Sequence, residues 1–383
     1  MWLPFSTNKV KKIIMNLSIA KDQLIHGLQS VQNVVSTRST LPILSNVLLR
    51  AGDNRLEFTA TDLDVSVTCS VEASVKKKGA STIPVKRLFG IVRELASTEI
   101  EMEVDEKNTC SLRAGASFYK LKGLSADEFP PTHTLNNAKK LTLPQEKFKG
   151  MLRKTSYAIS ADESRYVLNG IFVSLAEHKM TLVATDGRRL ALVDEEVDIS
   201  EANRGEFIIP TKTVHELARL LGEKGDVEIR FTENQAAFTM GDGKGFSAGV
   251  ISKLVEGNYP NYRQVIPSET RERIALPREE LLAATHRAQI MTSDKANSVK
   301  LAIGRNNLSI TANSPEVGEA RENLAIDYKG KEIAIAFNPA YLIEPLAALT
   351  ENEVFLELID DLSPGVLKID GPFLYVVMPM RLS

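Results

Sequence analysis

The chain has 383 residues, a net charge of −2, 43% hydrophobic and 25% charged residues. That length divides into two or three domains, each able to bury a core, and the near-neutral balance excludes a uniformly basic nucleic-acid binder. No apolar run reaches the roughly 18 residues of a membrane span, and Cys69 and Cys110 lie far apart without metal spacing, so they read as buried thiols of a reducing cytosol.

In chain order, residues 1–14, MWLPFSTNKVKKII, come first. The segment has three lysines and no acid, with its apolar and charged parts in the reverse order of a signal peptide. It reads as a loose extension, and the first strand is expected from Met15. LSIAKDQLIHGL (17–28) is then a short alternating strand running into a helix over 21–35. SNVLL (45–49) opens a strand, FTATD (58–62) ends one in a polar turn, and IPVKRL (83–88) starts a second helix over 85–95.

The same landmarks return as LTLPQEKFKGML (141–152), LNGIF (168–172), LVATD (182–186) and IPTKTV (209–214), with helices over 144–157 and 211–221. They return again as IALPREELLAAT (274–285), ANSVKL (296–301), ITANS (310–314) and FNPAYL (337–342), with helices over 277–292 and 338–349. The order is the same in every copy and the offsets fall between 123 and 133 residues, which marks an internal repeat. Pro144 and Pro277 are expected in the first helical turn, where a missing N–H costs nothing. The polar turns AGDNR, AEHK, MGDGKG and GRNN punctuate the strands between. The chain therefore reads as an N-terminal extension (1–14) and three copies of one domain, 15–138, 139–266 and 267–383. Each copy is α+β, two helices packed on antiparallel sheet.

Charge separates by element type. Basic residues exceed acidic ones on three helices: Lys86, Arg87 and Arg93 on one, Lys147, Lys149, Arg153 and Lys154 on the next, Lys212 and Arg219 on the third. The other helices are neutral or carry only Glu344, so strands and loops hold the acidic excess. A basic helix surface suits phosphate contact without sequence readout.

STRSTLPILSNVLL (36–49), SRYVLNGIFV (164–173), LVATDGRRLAL (182–192), KLVEGNYPNYRQVIP (253–267), FNPAYL (337–342) and VVMPMRL (376–382) together resemble the β sliding clamp, the beta subunit of bacterial DNA polymerase III. The resemblance covers 15–383. It implies a head-to-tail homodimer closing a ring, with the helices inside around duplex DNA and the sheet outside. It also implies a peptide pocket between the second and third domains for the polymerase catalytic subunit, the clamp loader, other polymerases and repair proteins. The expected function is a cytoplasmic processivity factor without catalysis or cofactor.

Carried over motif by motif, the pocket residues are Val167, Leu168, Thr185, Gly187, Arg188, Arg189, Leu190, Pro260, Val265, Asn338, Tyr341, Val376, Met378, Pro379, Met380, Arg381 and Leu382, with Pro364 from the loop DDLSPGVL. Methionine suits a surface that accepts several partners, and the arginines are expected at the rim. By pattern alone VVMPM is a core strand; the resemblance reverses that reading. Gln264 stands where many relatives carry a second arginine, which weakens the rim charge. Arg38, Tyr166 and the helix cations Lys86, Arg87, Lys147, Lys149, Arg153, Lys154 and Lys212 are the expected DNA contacts. Tyr119 and Leu121, on one strand face, and Ile290 and Met291, at a helix end, are the expected dimer seam.

An enzyme is disfavoured. The five histidines form no metal spacing, HELAR (215–219) lacks a second histidine, and MGDGKGF lacks the phosphate-loop GxxxxGK[ST]. A three-domain peptide-binding adaptor without DNA is the alternative.

Overall fold

The computed structural model describes residues 12–35, 41–131, 135–241, 243 and 245–381. Its elements come in three runs of one order. The first is β1 (Ile13–Ala20), α1 (Lys21–Val31), β2 (Asn46–Gly52), β3 (Arg55–Thr61), β4 (Val65–Glu72), β5 (Ser74–Lys77), β6 (Gly79–Pro84), α2 (Val85–Glu94), β7 (Glu99–Asp105), β8 (Thr109–Ala114) and β9 (Ser117–Lys122). The second is β10 (Lys139–Pro144), α3 (Gln145–Thr155), β11 (Gly170–Ala176), β12 (Lys179–Thr185), β13 (Arg189–Glu196), β14 (Gly205–Pro210), α4 (Thr211–Leu220), β15 (Asp226–Phe231), β16 (Gln235–Gly241) and β17 (Ser247–Lys253). The third is β18 (Glu272–Pro277), α5 (Arg278–Gln289), β19 (Val299–Gly304), β20 (Asn307–Ser314), β21 (Gly318–Ala325), β22 (Ile333–Phe337), α6 (Pro339–Ala348), β23 (Glu353–Leu358), β24 (Gly365–Lys368) and β25 (Phe373–Val377). Only β5 is extra to the first copy.

Local chemistry sets these boundaries. The hairpin β2–β3 turns on Asp53 and Asn54, both at positive φ, and β11–β12 turns on Glu177 and His178 in the same state. Such two-residue turns match the right-handed twist of the strands they join. Pro84, Pro144 and Pro277 each end a strand directly before a helix, so none lies in a first turn, and Pro277 is the N-cap of α5, one position earlier than expected; Pro339, by contrast, is the first residue of α6. β1 begins at Ile13, so Ile13 and Ile14 belong to the first strand and not to the extension. Residues 1–11 lie outside the described set.

Two compact units divide the described chain. One holds residues up to Glu146 together with His215–Lys253; the other holds Lys147–Val214 and Leu254–Ser383. In the first unit an eight-stranded sheet runs β10-β15-β16-β17-β4-β3-β2-β6, and β4 meets β17 with Ser66 opposite Ile251. Leu24, Leu28 and Val31 of α1 are buried. Gly27 lets that helix approach the sheet, since a Cβ there would lie 2.4 Å from the Phe58 ring. The second unit contains the equivalent sheet, β14-β11-β12-β13-β25-β24-β23-β18, in which β13 meets β25.

The third strand of one repeat's meander thus pairs with the last strand of the following repeat, first as β4–β17 and then as β13–β25. By the same rule β21 and β9 are left over. β9 ends the five-stranded sheet β5-β1-β7-β8-β9, and β21 ends the four-stranded sheet β21-β20-β19-β22. Cys69 and Cys110 are buried free thiols.

Candidate functional site

In the second unit, β11, β12, β13, β14 and β25 build an apolar floor. Phe172, Val183, Leu190, Ile208 and Val376 are buried together with Tyr262, and Val167, Tyr259 and Ile266 pack against them. Phe172 stacks on Tyr259 at 4.9 Å between ring centroids. The segment bearing both tyrosines is stitched to the sheet by the Val255 N–H, which donates to Ile208 at 3.0 Å. Around this floor three large apolar side chains stay exposed: Val265 at 53%, Met378 at 46% and Met380 at 38%. Exposed apolar groups clustered at an apolar floor mark a docking surface.

The C-terminal run is both core and rim. Phe373, Tyr375, Val376 and Val377 are buried in β25, and the chain then changes partner. Met378 donates its N–H to Arg188 at 2.9 Å, and Met380 donates to Ala336 at 2.7 Å. Pro379 between them has no N–H to place. The two methionines thus follow the buried part of β25 with their side chains exposed, Met380 bridging to Ala336.

The turn beneath Met378 is fixed by its own side chains. Asp186 Oδ1 accepts the N–H groups of Arg188 and Arg189 at 2.9 and 3.1 Å. Thr185 Oγ1 accepts from Gly187 at 3.1 Å and donates to the Arg189 carbonyl at 2.6 Å. Gly187 has φ +85°, and a Cβ there would lie 2.7 Å from Arg165. Glycine takes that backbone state without strain, while the tip of the Arg165 side chain could give way to a Cβ.

Arg189 is not at the rim, contrary to the sequence expectation. It is 9% exposed, and its guanidinium is used up internally. Nε donates to Asp186 at 3.1 Å, Nη1 to Glu344 of α6, and Nη2 to the Tyr157 carbonyl at 2.5 Å. The group lies 4.4 Å over the Tyr341 ring. Burial opposes its charge, but the adjoining Glu344 carboxylate outweighs that and raises its pKa. A long cation folds inward here because three acceptors converge on it; no single-sequence pattern announces such convergence.

Helix α6 carries a second tether. Pro345 lies inside it and cannot donate to the Tyr341 carbonyl one turn back. The Tyr375 hydroxyl supplies that bond at 2.7 Å. The roles of Tyr375, Glu344 and Pro345 escaped the sequence reading; the proline inside a helical run was the one available signal.

The remaining pocket residues lie in this unit. Leu168 is buried, and Pro260, Gln264, Arg188 and Arg381 are exposed. Asn338 caps α6 by accepting from the Ala340 N–H at 3.0 Å. Pro364 precedes Gly365, which lies opposite Val377 and so beside Met378. Leu382 is outside the described residues.

Among the helix cations, Lys86, Arg87 and Arg153 are exposed. Lys147 pairs with Glu195, and Lys154 pairs with Glu351 at 3.3 Å while only 18% exposed in its side chain. These two are less available than expected because carboxylates from neighbouring segments reach them. Lys149 and Lys212 are half-buried, and Tyr166 is 58% exposed. Arg38 lies outside the described residues. At the edge strand β9, Leu121 is core at 8% exposure, while Tyr119 at 39% and Phe118 at 50% stand out. Phe118 was missed because it alternates onto the face that pattern assigns to solvent. Ile290, the C-cap of α5, is 73% exposed; Met291 is half-buried close to Gly318 at the start of β21. No metal-ligating cluster occurs among the described residues, and no described helix is long and apolar enough to cross a membrane.

Three family descriptions match in succession: DNA polymerase III beta subunit N-terminal domain over residues 15–134, central domain over 142–261, and C-terminal domain over 263–381. The Beta sliding clamp of Chlamydia trachomatis serovar D is 35% identical over 369 residues, covering 96% of this chain and 88% of that protein. The crystal structure of a DnaN sliding clamp from Bartonella birtlesii bound to griselimycin is similar at TM-score 0.89 and 35% identity, covering 96% of this chain and 100% of that one. The griselimycin-bound clamp from Pseudomonas aeruginosa is similar at TM-score 0.89 and 32% identity, with the same coverage. With its threefold repeat, its antiparallel sheets and these matches over nearly its whole length, the chain belongs to the DNA polymerase III beta subunit family, and it is a DNA sliding clamp of the replicative polymerase.

Proposed function

We propose that two copies of this chain close head to tail around duplex DNA and tether partners through the apolar depression at Met378. The carrying observation is the pairing rule of the sheets. Each third meander strand takes the last strand of the next repeat, and among the described residues β21 and β9 are left without that pairing. A second copy supplies both, β9 of one protomer against β21 of the other. Phe118, Tyr119, Ile290 and Val317 are exposed apolar residues on or next to those edges. Closure removes two sheet edges that would otherwise promote aggregation.

In this reading the three domains are 15–138, 139–266 and 267–383, and the basic helices face the DNA. Lys86, Arg87 and Arg153 lead the contact, with Lys149 and Lys212 beside them. Such charges act on phosphates across about a Debye length, roughly 8 Å at physiological salt, so no sequence is read and the ring slides. Retention comes from closure, and tethering raises the local concentration of the polymerase at the primer end. Val265, Met378 and Met380 over Leu190 and Val376 receive short peptides from the polymerase catalytic subunit, the clamp loader, other polymerases and repair proteins, and griselimycin, found bound to two similar clamps, is a candidate ligand of this chain. The chain works in the cytoplasm and contributes no catalytic group.

The test is retention on nicked circular DNA after loading. The clamp stays on the circle and is released when the circle is cut; an adaptor shows no dependence on cutting. In sedimentation the chain runs as a dimer, and Ile290→Asp with Phe118→Asp shifts it to monomer and abolishes retention. A wild-type monomer at micromolar concentration overturns the ring.

A further inference from the structure

We propose that Glu344 is a positioning residue for peptide binding, acting through Arg189 on the turn that carries the pocket rim. This rests on the pocket reading above.

The rim stands on the turn 185–189. Met378 hangs from it by a hydrogen bond to Arg188, and Leu190 of the floor follows it directly. Its internal bonds, from Asp186 and Thr185, hold the turn's shape but not its place. The β12–β13 and β13–β25 ladders hold the ends of the turn, and the Arg189 side chain adds a tether beyond the sheet, to Glu344 on α6 and to the Tyr157 carbonyl just after α3. A guanidinium offers donors in a fixed planar fork, so three acceptors on three segments define its position. Two of them, Asp186 and Glu344, carry charge and give the stronger bonds. The Tyr157 carbonyl can hold Arg189 but cannot balance its charge, and Asp186 belongs to the turn itself. Glu344 alone joins charge balance to an anchor outside the turn. A second bond, from Tyr375 to the Tyr341 carbonyl, ties the same helix to β25, the strand that leads into Met378. Helix α6 thereby braces both sides of the rim, and removing the Glu344 carboxylate loosens one of these braces.

The experiment measures griselimycin affinity by calorimetry on the full-length protein, with 13C-methyl methionine NMR reporting on Met378 and Met380. Glu344→Ala is expected to weaken binding about tenfold, and Glu344→Gln, which keeps an acceptor, by about threefold. In unliganded Glu344→Ala the Met378 methyl signal shifts or broadens while the dimer persists, an effect that loss of stability alone does not produce. Met378→Ala serves as the control. If Met378→Ala weakens binding while folded Glu344→Ala binds as wild type, the positioning role is overturned and the pocket stands. If neither weakens it, the pocket reading falls and this inference with it. Should Glu344→Ala not fold, Glu344→Gln decides, wild-type affinity and an unmoved Met378 signal overturning the proposal.

Discussion

Met378 hangs from Arg188 by a 2.9 Å backbone hydrogen bond, and Lys253 hangs from Asp64 by one of the same length in the other unit. The two turns are copies. Asp62 Oδ1 accepts from Asp64 and Val65 as Asp186 does from Arg188 and Arg189, and Thr61 repeats the bonds of Thr185. What differs is the surface around them. Val183 and Ile208 flank Phe172 in one sheet; Thr59 and Thr82 flank Leu48 at the same register in the other. Leu190 is matched by Ser66, and Met378 by a lysine whose ammonium pairs with Asp64 at 2.8 Å. In the third copy Lys300 replaces Phe172 and lies opposite Thr311. One backbone thus recurs with three different surfaces, and among these matched positions the middle copy is the most apolar.

Met378→Ala is expected to weaken griselimycin and partner peptides by at least about 1 kcal/mol, roughly fivefold, with no loss of the dimer. Titration calorimetry measures it. Unchanged affinity would place the docking surface elsewhere.

Tyr375→Phe deletes the donor that replaces the missing N–H of Pro345. The part-buried Tyr341 carbonyl loses that donor, at a cost of about 1 kcal/mol. Urea denaturation of the variant against wild type reads the loss directly; equal midpoints would mean another donor serves that carbonyl.

Leu63 holds φ +80° where the equivalent turn has Gly187 at +85°. A leucine there is strained by about 1–2 kcal/mol, and at 43% exposure it gains little from burial. Leu63→Gly is therefore expected to raise stability by about 1 kcal/mol after the entropy of glycine is counted. A lower unfolding midpoint would show that the leucine earns its place through packing.

Burial pushes the thiols of Cys69 and Cys110 up to about 12 from 9.0. The folded chain holds these protons where the unfolded chain releases them. The associated stability is complete below about pH 9 and is lost as pH rises from there toward 12. Guanidinium midpoints measured across pH 8–11 should fall for wild type and fall less for Cys69→Ala with Cys110→Ala. Parallel profiles would exclude the thiols as the cause.

By itself the sequence determined the repeat, the six helices, the turns and the family. Those follow from local periodicity, glycine and proline positions, and the recurrence of motifs such as FTATD and LVATD. It also singled out Met378 and Met380, although pattern alone read their strand as core. Only the tertiary structure decided that Arg189 is a buried hub, that Lys147 and Lys154 are already paired, and that Phe118 rather than Leu121 is exposed on its edge strand. The reason is physical: a strand's alternation and a helix's period are set by neighbours a few residues away. The partner of a long charged side chain is whatever acceptor the fold brings within about 3 Å, and Glu344 is 155 residues from Arg189.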